Sequence, residues 1–326
     1  MKNIVLIMMF VFSLAGEEIS VPWGDGFEKG DVKDYFQRKL THAAIMKGVG
    51  VDGSKALVID PEKAGPEKTM VRAFMKQIPV QPFVKYKFSF MGKVEGPDTF
   101  ENNPLMEHIY FDAARGSKGK PLPGWELLFT DENGKKITYG SPLSSVMAHN
   151  GWTRYEEIFY APLNSKELQI VFHNFMNMKN KLFIDDMKLE TIDEGALNIN
   201  PDFRYGIYNY SGYSPRNARI VELEKGVFAM DASPDNSFSS THIPVRPGKE
   251  YQLTAHLKSL DKRVRITVGL IDINGKSLSP LKTNIELYPP NREETKTMVF
   301  VAPENIAYVT LHGRNGIVKS FKLKEK

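Results

Sequence analysis

Apolar and polar residues alternate in short runs along most of this chain. Val84-Lys85-Tyr86-Lys87-Phe88-Ser89-Phe90 puts its apolar side chains on one face of an extended segment, Val264-Arg265-Ile266-Thr267-Val268 does the same, and Lys181 to Leu189 does so in part. A period of two is the strand's signature. Trp125 to Thr130 runs through Asp131-Glu132-Asn133-Gly134-Lys135 into Ile137-Thr138-Tyr139, which reads as strand, turn, strand. Asn133-Gly134 supplies the positive φ that such a turn demands, and Asn274-Gly275 supplies it again. Helical periodicity is confined to Val32 to Thr41. Many short strands at regular spacing predict an all-β fold, a sandwich or jelly roll rather than a parallel sheet.

The same landmarks occur twice. Pro79-Val80-Gln81-Pro82 with Tyr86 returns as Pro244-Val245-Arg246-Pro247 with Tyr251. Asp131 to Lys135 returns as Asp272 to Lys276, and Phe159-Tyr160-Ala161-Pro162 as Phe300-Val301-Ala302-Pro303. The offset is 165 residues at the first landmark (79 to 244) and 141 at the turn (131 to 272), so the first copy carries 24 additional residues. They fall between Pro97 and Gly124, around Glu107 to Phe111 and the Gly/Lys-rich run Gly116 to Lys120. Shared spacing over separate landmarks marks a repeat. With the junction between Asp193 and Asn198, the expected organisation is a signal peptide at 1–16, one β-sandwich domain at 17–194 and a second at 195–326.

Composition narrows the partners. The 326 residues carry a net charge of only +4, with both signs interspersed, so no basic stripe follows a nucleic-acid backbone. Lys2, the apolar run Ile4 to Leu14 and the small residues Ser13, Ala15 and Gly16 describe an export signal, hence a secreted protein. That run is too short to span a bilayer, which takes roughly 20 apolar residues, and nothing later approaches this length. Cysteine is absent, which excludes a disulfide framework.

One family shares this order of motifs. Gly26-Phe27-Glu28-Lys29-Gly30, Gly53-Ser54-Lys55-Ala56-Leu57-Val58-Ile59-Asp60, the Pro79 strand, Gly151-Trp152-Thr153-Arg154-Tyr155 before Phe159, and Phe183-Ile184-Asp185-Asp186-Met187-Lys188-Leu189 follow one another. The chain thereby resembles the galactose-binding-like jelly rolls of carbohydrate-binding module families four, nine and twenty-two. The likeness spans residues 20–192 and extends more weakly over 198–326, where no Trp matches Trp152 and Lys319 to Leu323 replaces the Asp-Asp strand.

The resemblance implies a structural calcium in the first domain, held by Glu28 and Asp185 with Asp186 as neighbour, and oxygen ligands suit that ion. A solvated strand end is the alternative reading of Asp185-Asp186. It also implies a polysaccharide or glycan partner, which needs an aromatic platform for the apolar face of a pyranose ring. Trp125, with Glu126 beside it, is the expected platform, flanked by His108, Tyr110 and Tyr139; each of these three also reads as an ordinary rim residue. Trp152 matches a core position of the family, and Trp23 is undecided. In the second domain Tyr208, Tyr210 and Tyr213 crowd one Gly/Ser/Asn-rich stretch. This is either an adaptable contact surface or a self-packed loop.

Catalytic signatures are thin. Gly48-Val49-Gly50-Val51-Asp52-Gly53 has a dinucleotide spacing but precedes a strand where a helix is required. The histidines show neither metal-pair spacing nor a nucleophile elbow, and His173 and His312 occupy nearly corresponding strand positions. A glycosidase needs only two apposed carboxylates, for which Glu126, Glu156, Glu157 and Asp185 are candidates. The expectation is a non-catalytic glycan binder; an adhesive protein with cell-surface protein partners and a small polysaccharide-degrading enzyme are the alternatives.

Overall fold

In the computed structural model these runs pair into antiparallel sheets, two from the first half of the chain and two from the second. Described are residues 26–28, 30–36, 41–64, 70–97, 99, 101, 123–137, 145–147, 149–175, 180–204, 210–211, 218–233, 235–281 and 283–326. In the first half, one sheet has the spatial order Ala43–Met46, Ala56–Ile59, Lys181–Thr191, Lys85–Glu95, Thr153–Tyr160. The sheet facing it runs Met70–Phe74, Glu167–Phe175, Gly124–Thr130, Lys136–Ile137, with Ile78–Pro79 and Ser145–Val146 attached. In the second half, one sheet is ordered Tyr210–Ser211, Ser237–Ser240, Tyr308–Arg314, Val264–Ile271, Ser277–Leu278, and Ile285–Leu287 extends Val264–Ile271. Its partner runs Arg219–Glu224, Val227–Asp231, Ile317–Glu325, Glu250–Lys258, Glu293–Val301. The fold is all-β and each half is a sandwich.

Alternation explains where the cores lie, because a strand sends successive side chains to opposite faces. Phe88, Phe90 and Val94 of Lys85–Glu95 are fully buried, and they meet Leu168, Ile170 and Phe172 from the other sheet. Phe90 sits among Trp125, Tyr155 and Phe172 at ring separations of 4.9, 5.3 and 5.3 Å. The second core has its own aromatic cluster, Phe203, Phe238 and Phe321, with rings 5.7 to 5.9 Å apart. Each buried side chain of this size contributes about 1.5 to 3 kcal/mol of apolar transfer, and that burial stabilises a chain without disulfides.

The repeated landmarks hold equivalent places. Tyr86 stacks on Phe159 at 5.7 Å and Tyr251 on Phe300 at 5.7 Å, each pair on adjacent strands. The Gln81 amide donates to the Tyr86 hydroxyl at 2.9 Å, and the Arg246 amide to that of Tyr251 at 2.6 Å. In both turns an aspartate, Asp131 or Asp272, accepts from the amides two and four residues on. The register Arg72↔His173 becomes Ser237↔Arg314, each position displaced by its local offset. His312 therefore corresponds to Val171 and not to His173.

The helix expected over Val32 to Thr41 is four residues long among the described residues, Val32–Tyr35. Asp31 and Asp34 cap each other there, and Phe36 then turns extended to bridge Met75. The chain between the sandwiches is packed. Ala196, Asn198, Ile199, Asn200 and Phe203 are buried, and the Leu197 amide donates to Leu323 O at 2.7 Å. Across the junction the Leu163 amide donates to the Tyr308 hydroxyl at 3.1 Å, and the Arg246 guanidinium lies 4.6 Å from the Phe83 ring centroid.

Candidate functional site

Trp125 does not stand where a stacking platform would. Within Gly124–Thr130 the residues 125, 127 and 129 point inward, and Trp125 is only 4% exposed. Its Nε1–H donates to Glu157 Oε2 at 3.2 Å, and its ring meets Tyr155 at 5.4 Å. Apolar Leu127 and Leu128 occupy both faces of this strand, so the sequence alone left its inward side ambiguous. Glu126 faces outward beside Arg72, at 3.8 Å. Trp152, expected in the core, is half-buried ahead of Thr153–Tyr160, with Lys93 Nζ 5.6 Å from its ring centroid. Residues 1–16, Trp23, His108, Tyr110, Tyr139, Tyr208 and Tyr213 lie outside the described residues, as does the side chain of Tyr210.

Glu28 and Asp185 do converge on one turn, residues 50–55. A β-bulge in Lys181–Thr191, with Asp186 at φ 45°, turns Asp185 inward and Asp186 outward. Asp185 accepts hydrogen bonds from the Val51 amide (2.9 Å), the Ser54 hydroxyl (2.7 Å) and the Asp186 amide (2.7 Å). Glu28 Oε1 accepts from the Lys55 amide at 2.6 Å, and the Lys55 ammonium donates to Glu28 O at 2.6 Å. Asp186 pairs with Arg154 at 2.5 Å. Both carboxylates expected as ligands thus face N–H and O–H donors, and the Lys55 ammonium lies at the Glu28 backbone carbonyl. Calcium needs oxygens converging on one point, and these residues, so arranged, do not fit the ion.

The candidate catalytic carboxylates are similarly engaged. Glu126 lies against Arg72, Glu156 pairs with Lys87 at 2.8 Å, and buried Glu157 holds the Trp125 indole. A cavity of about 430 Å³ lies by Asp202, Arg204, Val227, Phe228 and Lys319. Its charges pair among protein groups, Arg204 with Asp202 and Lys319 with Glu293.

The outer face of the sheet carrying Val264–Ile271 and Tyr308–Arg314 is open and polar. One row across it reads Glu286, Arg265, Arg314, Ser237; the next reads Thr267, His312, Ser239. The His312 ring lies between Ser239 Oγ, 2.5 Å from Nδ1, and Thr310 Oγ1, 2.8 Å from Nε2. Burial lowers its pKa. Gly269 makes room for that ring, since a Cβ there would come within 2.6 Å of His312 Nε2. At the rim, Tyr288 is 54% exposed. Its hydroxyl donates to Glu286 at 2.8 Å, and the Arg263 guanidinium lies 5.6 Å from its ring centroid. Arg263 and Arg265 share the same Glu286 carboxylate, at 3.1 and 2.8 Å. Hydrogen bonding from Tyr288, then the bond from Arg265 and the charges of both arginines, hold that carboxyl below its ordinary pKa.

The matching face of the first sandwich is closed. Val171 and His173 are 0% and 5% exposed there, and burial, with Arg72 acting in the same sense against Glu126, lowers the His173 pKa to about 4. Tyr288 went unnoticed in the sequence because it follows a three-residue strand, Ile285–Leu287, and precedes Pro289-Pro290.

No protein-family model and no curated protein sequence matches the chain. Similar solved structures include the N-terminal tandem of two family 22 carbohydrate-binding modules from Paenibacillus barcinonensis Xyn10C, at 10% identity and a TM-score of 0.35, covering 93% of this chain and 96% of that one. A family 16 carbohydrate-binding module is similar at 10% identity and a TM-score of 0.35, covering 52% of this chain and 98% of that one. The cycloalternan-forming enzyme of Listeria monocytogenes is similar at 11% identity and a TM-score of 0.25, over 86% of this chain and 21% of that one.

Proposed function

We propose that this chain is a secreted, non-catalytic glycan-binding protein whose ligand lies on the outer face of the second sandwich, along Arg265, Thr267, His312 and Arg314 with Tyr288 at the rim. The observation that carries this reading is Tyr288, an aromatic ring 54% exposed and held by Glu286 beside two rows of polar side chains. A pyranose presents C–H groups to such a ring and hydroxyls to donors and acceptors beside it. His312, fixed by two hydroxyl neighbours, is a polar group with little rotamer freedom left to lose on binding. Export rests on the Lys2 to Gly16 pattern.

A glycan array probed with the intact chain and with Tyr288→Ala tests the proposal. Retention by the parent chain, reduced about tenfold or more in the variant at unchanged melting temperature, is the expected result; loss of one base–aromatic-sized stacking contact is worth about 1–3 kcal/mol. No retained glycan, or full retention by the variant, overturns it.

A further inference from the structure

We infer that the glycan held on this face is anionic, bearing carboxylate or sulfate groups, and that Arg314 is the residue that reads the charge. The inference rests on the outer-face reading above. Arg265 and Arg314 stand directly opposite on Val264–Ile271 and Tyr308–Arg314. Opposed like charges at this spacing destabilise a sheet. A single carboxylate, Glu286, serves Arg265 and Arg263 together. Arg314 is exposed and has no ion pair among the described residues, and its other cross-strand neighbour is Ser237. Arg263 and Arg265 thus share one carboxylate, and Arg314 across from Arg265 has no share in it. The nearby Lys262 adds no excess, being paired with Asp235 at 2.5 Å.

Chemistry selects the ligand that relieves this arrangement. A guanidinium presents parallel N–H groups that match a carboxylate or a sulfate oxygen pair, and such charge-assisted bonds are about twice as strong as neutral ones. An acidic sugar on this row would give Arg314 the counter-ion that Arg265 already has, while Tyr288 offers its ring to the uncharged face of the same or the next residue. A neutral polysaccharide would leave the opposed arginines as they are. On the adjoining row the hydroxyls of Thr267 and Ser239, the latter braced by His312, are uncharged and suit the sugar hydroxyls.

The test measures binding of the full chain, in chelator to prevent cation bridging, to polygalacturonate, to its fully methyl-esterified form, to dextran sulfate and to dextran. Polygalacturonate or dextran sulfate should bind at least tenfold more tightly than its uncharged counterpart, and the pair that shows the difference identifies the acid group. Arg314→Gln should abolish that difference and lower the salt dependence without lowering the melting temperature, because it removes a repulsion. Arg314→Lys should recover only part of the affinity, since it restores charge without the fork. Equal binding of charged and uncharged polymers, or an unchanged preference in Arg314→Gln, overturns the anionic assignment while leaving glycan binding intact. Binding of single-stranded DNA as tightly as the acidic glycan replaces it with general polyanion attraction. Absence of binding to every polymer defeats both this inference and the reading beneath it.

Discussion

Lys85 Nζ lies 2.9 Å from Glu194 Oε2, joining the first sandwich to the chain segment that leads into the second, with only 4% and 12% of the two side chains exposed. The ammonium also donates to Ala196 O at 2.8 Å and Asn198 O at 3.4 Å and lies 5.6 Å from the Tyr160 ring centroid. Burial lowers the Lys85 pKa against the opposing pull of Glu194. The junction is therefore held by a desolvated ion pair, a different object from a solvated linker. Removing one partner of such a pair strands a charge and costs about 3–5 kcal/mol, whereas an apolar replacement of both is often neutral. Lys85→Met should lower unfolding free energy by that amount, and Lys85→Met with Glu194→Leu should regain most of it. A double variant as unstable as the single one would show that the two groups are not coupled.

Acid should weaken the first sandwich through His173. Its folded pKa is about 4, with burial the largest cause, against an ordinary value of about 6.5. Between these values the unfolded chain takes up a proton that the folded chain refuses, so stability is complete above the unfolded pKa and falls with pH down to the folded one. His242 and His312, lowered by burial, act in the same direction. Urea unfolding at pH 7 and pH 4.5 should differ by about 2–3 kcal/mol on account of His173 alone. His173→Gln should lose that increment; an unaltered acid slope would place the titration elsewhere.

Chelation should leave the melting temperature unchanged. Three donors already compensate the buried Asp185 carboxylate, and Lys55 sits beside Glu28. A group bound only by the folded state stabilises it by mass action, so a real calcium site would reveal itself as a fall of several degrees on adding chelator. Such a fall would return Glu28 and Asp185 to the role of ligands. Asp185→Asn, by contrast, should destabilise with or without chelator, since an amide presents donors to the Val51 and Asp186 amides.

What could be read from the sequence was whatever depends on period and spacing. Alternation located the strands, and the Asn-Gly turns and the Tyr86 and Tyr251 landmarks took equivalent places. Facing was less legible. Trp125 to Phe129 is apolar at four of five positions, and a one-residue choice of phase decides whether the indole points to core or solvent. The outer face of the second sandwich escaped notice because its row, Glu286, Arg265, Arg314, comes from three separate strands. Only the register brings these residues together. The junction between Asp193 and Asn198 reads in the sequence only as a boundary, and nothing in it announces that Asn198 donates to Phe321 O at 2.8 Å and accepts from the Leu323 amide at 2.9 Å.

The two tryptophans test this facing directly. Trp125 is 4% exposed, contacts Phe90 edge-on at 4.9 Å and donates to buried Glu157, so its removal opens a cavity and takes a donor from a carboxylate. Truncation of a buried Trp costs about 3–5 kcal/mol, which is the loss expected for Trp125→Ala. Trp152 is half-buried, and the Lys93 ammonium lies over its ring at 5.6 Å, a contact worth about 0.5–1 kcal/mol at an exposed position. Trp152→Ala should therefore cost about 1 kcal/mol or less beyond its lost packing, well below Trp125→Ala. Urea midpoints of the two variants at pH 7 provide the measurement. A larger shift for Trp152→Ala than for Trp125→Ala would mean that Gly124–Thr130 pairs in the opposite phase, with the indole of Trp125 turned to solvent.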